Sequence, residues 1–433
     1  MSISKGKMKI GNRFILSGFL VLMTLLATMT LTTVTSFAAT SINVDGGTSQ
    51  DLQKAINKAS SGSSIFISDT VTIDETVNID KNITLTGSGT LIREDGFKGA
   101  MVYVGTNSEL IMEDITIDGN ETQSNNSAVY IYKGKFQMRS GTIKNNKSGG
   151  INNYYGTFEM TGGTISDNED QNGAGVYNYR GTFEMKGGII SGNRAITNDC
   201  TTFGITNKMI SANAAISCGG GVYNCNGSFT MTNGTISENE VAYGGGVYND
   251  CGIFKIIGGT ISKNKASKGG GGVYSECGML DGLSEMRGGM ISENKAGYGG
   301  GIYNHFGNFE MICGTISGNK ARYGGGVYND FATFKMLDGT VSKNEASIDG
   351  GGVYNTDCAG KFNMTGGSIL GNSALSHGGG VYNDYSTFRM TGGTISGNEA
   401  YNGGGIYNNC GNVKITEEIA VITGNSPEDK YGC

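Results

Sequence analysis

One unit is written again and again along this chain. GGG-[VI]-Y-N or a near copy ends at Asn178, Asn224, Asn249, Asn304, Asn329, Asn355, Asn383 and Asn408. F-x-M follows, then I-S-x-N. A unit of about 25 residues cannot close a core by itself, so its copies must stack on one another. The chain is therefore expected to be a solenoid, and that constrains it more than any single residue does.

Spacing within the unit assigns roles. Six residues separate Tyr177 from Phe183, Tyr223 from Phe229, Tyr248 from Phe254 and Tyr303 from Phe309. Seven separate Phe136 from Ile143, Phe183 from Ile190, Phe309 from Ile316 and Phe388 from Ile395. Three residues after each Ile stands an Asn, which gives one column: Asn120, Asn146, Asn168, Asn193, Asn213, Asn239, Asn264, Asn294, Asn319, Asn344, Asn372, Asn398 and Asn425. Apolar residues alternate with polar ones in F-x-M, and a period of two is a strand signal. Each unit reads as three short strands, V-Y-N, F-x-M and T-I-S, joined by Gly-rich or polar turns. Three short strands per coil make a parallel β-helix, with Val or Ile, Phe, Met and Ile filling its inside. Coils about 4.8 Å apart would make thirteen of them a rod on the order of 60 Å long.

The Asn column has a physical reason. An amide can donate to one neighbouring coil and accept from the other, satisfying groups in a buried turn. Asn239, Asn264, Asn294, Asn319, Asn344, Asn372 and Asn398 are its core members. Gly allows positive φ at the corners. The single proline, Pro427, follows the last unit, as expected if interior strands all donate to ladders.

Residues 1–38 read as a secretion signal. Lys5, Lys7, Lys9 and Arg13 precede an apolar stretch from Phe14 to about Ala27, and small residues at Ser36 and Ala38 fit cleavage after Ala38 or Ala39. The Thr-rich end of this stretch makes a poor membrane span. No other segment is long and apolar enough to cross a bilayer. Loss of residues 1–38 takes the formal net charge from −6 to −10. That disfavours nucleic acid and anionic membranes as partners. Residues 39–98 are expected to hold a cap and the first coils. Leu52, Ala55, Ile56 and Ala59 lie on one helical face, with Thr48 or Ser49 as N-cap and Gly62 as a stop. Such a helix would cover the open end of the first coil. Residues 99–425 are the repeat region and 426–433 a tail.

With these residues in view, the segment LQKAINKASSGSSIFI…NIDKNITLTGSGT resembles the start of pectin-lyase-like right-handed parallel β-helices. GGGVYN and ISGN look like the GG-[AI]-x-N and F-x-x-N repeats of polymorphic outer-membrane proteins and adhesins. The resemblance covers roughly residues 43–425 and implies an all-β, right-handed solenoid. It says little of activity, because this fold hosts lyases, hydrolases, adhesins and spacers. No C-terminal barrel and no sortase-type motif are seen, so those two modes of surface attachment are not expected.

Two coils break the pattern. Between Asn193 and Phe203 the GGGVYN strand is replaced by AITNDC, while Phe203 to Ile210 keeps its spacing, which suggests a coil that has lost one strand. At SECGMLDGLSEM, Ser284 takes the Phe position after an insertion. A smaller insertion lies in NTDCAGKF. Insertions on one turn often mark the functional face of a solenoid, although surface drift gives the same pattern.

If Val and Asn of V-Y-N face inward, Tyr faces outward. Tyr130, Tyr177, Tyr223, Tyr248, Tyr274, Tyr303, Tyr328, Tyr354, Tyr382 and Tyr407 would then form a row of exposed rings. From Tyr223 to Tyr407 this row is the candidate ligand surface, suited to stacking on sugars or docking a protein. A self-stacking ladder that only stabilises the sheet is the alternative. Two residues after the Tyr come Asp250, Glu276, His305, Asp330, Asp384 and Asn409, which could bind calcium or act as acid and base. Solvated acids next to a turn are the simpler explanation. Asn355-Thr356-Asp357 with His377 echoes an acidic motif of polygalacturonases, but the paired Asp-Asp and the Arg-x-Lys are missing. Only two histidines occur, without zinc-ligand spacing, so no metal or cofactor is expected. Of nine cysteines, Cys251 and Cys277 lie at matching positions of neighbouring coils and form a candidate disulfide. A secreted, non-enzymatic binding protein for an extracellular glycan or host-surface protein is the expectation, with a polysaccharide lyase or hydrolase, or an inert spacer, as alternatives.

Overall fold

The computed structural model describes residues 41–195, 218–277 and 283–432. Parallel strands stack into three long sheets of 15, 15 and 14 members, each strand pairing with its counterpart one coil on. The chain is a parallel β-solenoid of about 15 turns. Three turns come from residues 41–98, whose coils lack the Asn signature, and twelve follow, one fewer than the thirteen Asn positions suggest. The secretion signal lies outside the described residues, among which no helix is long and apolar enough to cross a membrane.

The period-two pattern explains the core. Along Val327–Asp330 the Val and Asn are buried, along Thr333–Met336 the Phe and Met, and along Thr340–Ser342 the central Val341. Registers keep like over like: Phe309 pairs with Phe334, Met311 with Met336, Val327 with Val353. Each apolar residue therefore packs on near copies of itself, as in Phe183 over Phe229 with ring centroids 4.6 Å apart.

The cap forms as its pattern predicts. Helix α1 spans Ser49–Lys58 and buries Leu52, Ala55 and Ile56. Its N-cap Thr48 donates its backbone N–H to the Asp51 carboxylate at 3.1 Å. Gln53 then covers the edge of the sheet that begins at Val77–Ile79. Its amide accepts from the Asn78 N–H at 2.7 Å and donates to the Asn78 carbonyl at 3.1 Å, replacing a missing strand.

Two Asn ladders run through the interior. In the expected one, Asn264 donates its amide to Asn294 Oδ1 at 3.0 Å and to the Ile236 carbonyl at 2.9 Å. Its own Oδ1 accepts from Asn239 Nδ2 at 2.9 Å. The ladder starts at Asn146 and ends where Asn425 donates to Asp429 at 2.8 Å. Asn120 does not belong to it: it is exposed, with φ +54°, and its amide reaches the Arg93 carbonyl. Asn213 lies outside the described residues, and the ladder passes directly from Asn193 to Asn239 at 3.0 Å. Strands on either side pair directly too, Phe183 with Phe229 and Val176 with Val222. The expected coil with one strand lost falls on residues 196–217, outside the described residues, and the coils on its two sides pair directly.

The second ladder uses the Asn of V-Y-N, which the sequence places inward without showing that it forms a ladder. Asn329 donates to Asn355 Oδ1 at 2.8 Å and to the Ala332 carbonyl at 2.9 Å. Both ladders leave an orphan where they begin: Asn146 Oδ1 and Asn153 Oδ1 are buried without a partner.

Gly-Gly-Gly before V-Y-N has two reasons, not one. Gly324 adopts φ +64°. Gly326 needs no such angle, but a Cβ there would lie 2.6 Å from the Gly352 carbonyl oxygen. Close packing of successive coils, not corner geometry, excludes other residues.

Candidate functional site

The Tyr column points away from the core, yet most of it is not open to solvent. After each ladder Asn the chain makes an outward excursion before returning through the glycines, and aromatic residues of that excursion lie over the column. Tyr243 packs on Tyr274, Tyr298 on Tyr328 and Tyr323 on Tyr354, at centroid distances of 5.3, 5.2 and 5.6 Å. Tyr248, Tyr274, Tyr354 and Tyr382 are 5–8 % exposed. Tyr223, Tyr303, Tyr328 and Tyr407 are half-buried. Tyr354 stacks on Tyr382 and Tyr382 on Tyr407, at 4.7 and 5.2 Å. The expected row of exposed rings is corrected accordingly. Sequence reading missed the cover because the excursion strands are short and carry no period.

The hydroxyls are tied down as well. Tyr223 donates to Asp250 at 2.9 Å, Tyr248 to Glu276 at 2.5 Å and Tyr303 to Asp330 at 2.6 Å. Tyr354 donates to Asp384 at 3.3 Å, and Tyr274 shares a bond of 3.1 Å with His305 Nδ1. Each ring thus reaches the polar residue two places after the next Tyr, one coil further on. Burial first, and then the neighbouring carboxylates (for Tyr248, Cys218 and then Glu276), push the hydroxyls of Tyr223, Tyr248 and Tyr303 far above the usual tyrosine range. His305 stands 3.5 Å from Glu276 and 3.7 Å from Asp330. Its bond to Glu276 is the main reason that carboxyl is held below its ordinary range. Asp357 moves the other way. Burial, and then the hydrogen bond and charge of Asp330, push it up to about 6. Among the described residues no group of three or more His, Cys, Asp or Glu could hold a metal ion.

The sequence echo around Asn355 and His377 dissolves in the structure. Asn355 belongs to the second ladder. His377 lies on the excursion, bonded to Asp349 at 2.8 Å. Cys251 and Cys277 directly follow the paired residues Asp250 and Glu276. Cys251 also faces Cys225 across an isolated antiparallel bridge.

One group of exposed aromatics lies one position beyond the last residue of the V-Y-N strand. Tyr155, Phe306, Phe331 and Tyr385 occupy the corner after the V-Y-N strand with φ of +56°, +53°, +49° and +50°. They are 44–57 % exposed. Phe306 and Phe331 stack at 5.2 Å, and the His305 ring lies 4.1 Å from Phe306. A left-handed conformation costs an ordinary L-residue roughly 1–2 kcal/mol. Gly, Asn or Asp would relieve it, and Asn226 and Asp357 fill the same corner elsewhere. Aromatics three residues after the column Tyr were the available signal, masked by the variety of residues at that position. Comparison with family models, curated proteins and solved structures returns no match to this chain.

Proposed function

We propose that the protein is a secreted, non-enzymatic binding scaffold that engages an extracellular glycan or a host- or cell-surface protein through its aromatic corner. The observation that carries this reading is that corner. Phe306, Phe331 and Tyr385 combine left-handed backbone with exposed rings, two features that cost stability. The repeats' resemblance to those of polymorphic outer-membrane proteins and adhesins supports the same class. So does the use of Asp250, Glu276 and Asp330 as acceptors for tyrosine hydroxyls, which leaves these carboxylates poorly placed for proton transfer.

Replacing Phe306, Phe331 and Tyr385 together by Asn should abolish attachment to glycan arrays or host surfaces and should leave the melting temperature equal or higher. Unchanged attachment would remove the corner from the reading. One observation favours a hydrolase as second reading: burial, and then the neighbouring Asp330, push the Asp357 carboxyl up to about 6, which suits a general acid. Cleavage of a polysaccharide that Asp357→Asn abolishes would replace the scaffold reading. Secretion is tested by N-terminal sequencing of the exported protein, which should begin after Ala38 or Ala39.

A further inference from the structure

A second surface, on the excursion side, has the form of a ligand trough. Lys320–Tyr323, Glu345–Asp349 and Ser373–Ala374 pair as a short parallel sheet, extended by bridges from Lys295 to Lys320 and from Ser373 to Glu399. Ala296, Ala321, Ala346, Ala374 and Ala400 form one column along it and line a groove of about 710 Å³. On its rim Leu375 and Tyr401 are 74 % and 76 % exposed, more than any other large apolar side chain among the described residues. Nothing in the fold uses them.

Size decides the kind of occupant. The volume falls within the roughly 300–1,000 Å³ of small-ligand sites. Five coils about 4.8 Å apart give a trough on the order of 20 Å long and one or two side chains wide. A stable protein partner needs about 800 Å² on each side, far more than this trough offers. An extended peptide also fits poorly. Its same-face side chains repeat about every 6.6 Å, out of step with the coils. The strands cross the trough and are already paired along it, so they present no edge for strand addition. A linked pyranose chain advances by a step comparable to one coil.

Charge narrows the chemistry. Lys295, Lys320, Glu345 and Glu399 follow one another in one column along the lining, with Arg322 two places after Lys320, and Lys320 is paired with Glu345 at 2.7 Å. The lining is near neutral, with an alanine floor and both donors and acceptors along it. That suits hydroxyls better than a polyanion or a polycation. Tyr401 adds a free ring face for stacking.

We infer that this trough binds a neutral linear oligosaccharide lying along the solenoid axis, with about one sugar ring per coil. The inference rests on the reading of the protein as a binding scaffold but uses a different face from the aromatic corner. The test is calorimetric titration of the secreted chain with cello-, xylo- and manno-oligosaccharides of increasing length. For at least one series, affinity should rise with length and level off near five rings, one for each coil lining the trough. Tyr401→Ala combined with Leu375→Ala should weaken binding at least tenfold, as should Ser347→Trp, which fills the trough from an exposed position. Lys335→Ala, exposed on another strand, should leave it unchanged. If the triple corner variant loses oligosaccharide and the trough variants keep it, the trough assignment is wrong. Tighter binding of a polyuronide than of any neutral series would overturn the chemistry proposed. Attachment through the corner without binding of any of these oligosaccharides would overturn the trough alone. Absence of both would overturn the scaffold reading itself.

Discussion

An asparagine amide has two donors and an acceptor at fixed spacing, and that is what a repeated buried turn requires. Asn319 meets the requirement in full: it donates to Asn344 and to the Ile291 carbonyl and accepts from Asn294. Asn264→Ala or Asn319→Ala should each cost about 1–3 kcal/mol, because the groups left behind stay buried without water. Urea melts against a surface control, Lys335→Ala, check this; an equal effect would mean the turn is solvated. Acid titration probes the outer face. Asp357 and Asp170 are both pushed up to about 6 from 3.8, mainly by burial. A carboxyl whose folded pKa is raised stabilises the fold fully below the unfolded value, and this is lost as pH rises through the folded one. Stability should therefore fall between about pH 4 and 6, and Asp357→Asn with Asp170→Asn should flatten that slope in melts across the range. The Asn ladder was legible in the sequence because one residue type recurs at one spacing. The partners of Asp357 were not, because Asp330 lies a coil away and only stacking brings them together.

At the scale of one coil, the sequence shows where strands lie better than it shows what covers them. V-Y-N, F-x-M and T-I-S were readable from alternation alone. The excursion that shields the tyrosines was not, since Lys320-Ala321-Arg322-Tyr323 has no pattern until its copies stack. The same logic explains the coil at Ser275. There Ser replaces the ladder Asn and Ser284 replaces the Phe, and the two hydroxyls bond at 2.6 Å while Asn249 donates to Ser284 at 3.2 Å. The repair is incomplete: Asn304 Oδ1, which should accept from this coil, is buried without a partner. Restoring both residues, Ser275→Asn with Ser284→Phe, should rejoin the ladder and the ring stack. Burial of a Phe and one recovered hydrogen bond should together add about 2 kcal/mol. The gain should exceed the sum of the single changes, because either Ser alone depends on the other. Equilibrium unfolding of the three variants measures it; simple additivity would mean the two sites do not cooperate.

For the whole molecule, each coil touches only its neighbours, so stability accumulates coil by coil and an insertion between coils is tolerated if the flanking strands still meet. Residues 196–217 are such a case. Arg194 pairs with Glu240, and Cys218 occupies the bridge position between Asn172 and Tyr243. In the next coil the stretch from Glu240 to Tyr243 is covered by only Val241 and Ala242. The insertion therefore stands where an ordinary coil has a single residue after Ala195. Replacing residues 196–217 by one Ser should leave the three long sheets paired as they are, with circular dichroism and melting temperature close to those of the parent. If the deletion instead unfolds the protein, or splits its melt into separate transitions for the coils before and after it, the insertion contributes structure that the direct contact of Asn193 with Asn239 does not supply. If it leaves the fold intact but abolishes attachment, the binding surface extends beyond the aromatic corner onto this segment, and the insertion is functional cargo on a continuous ladder.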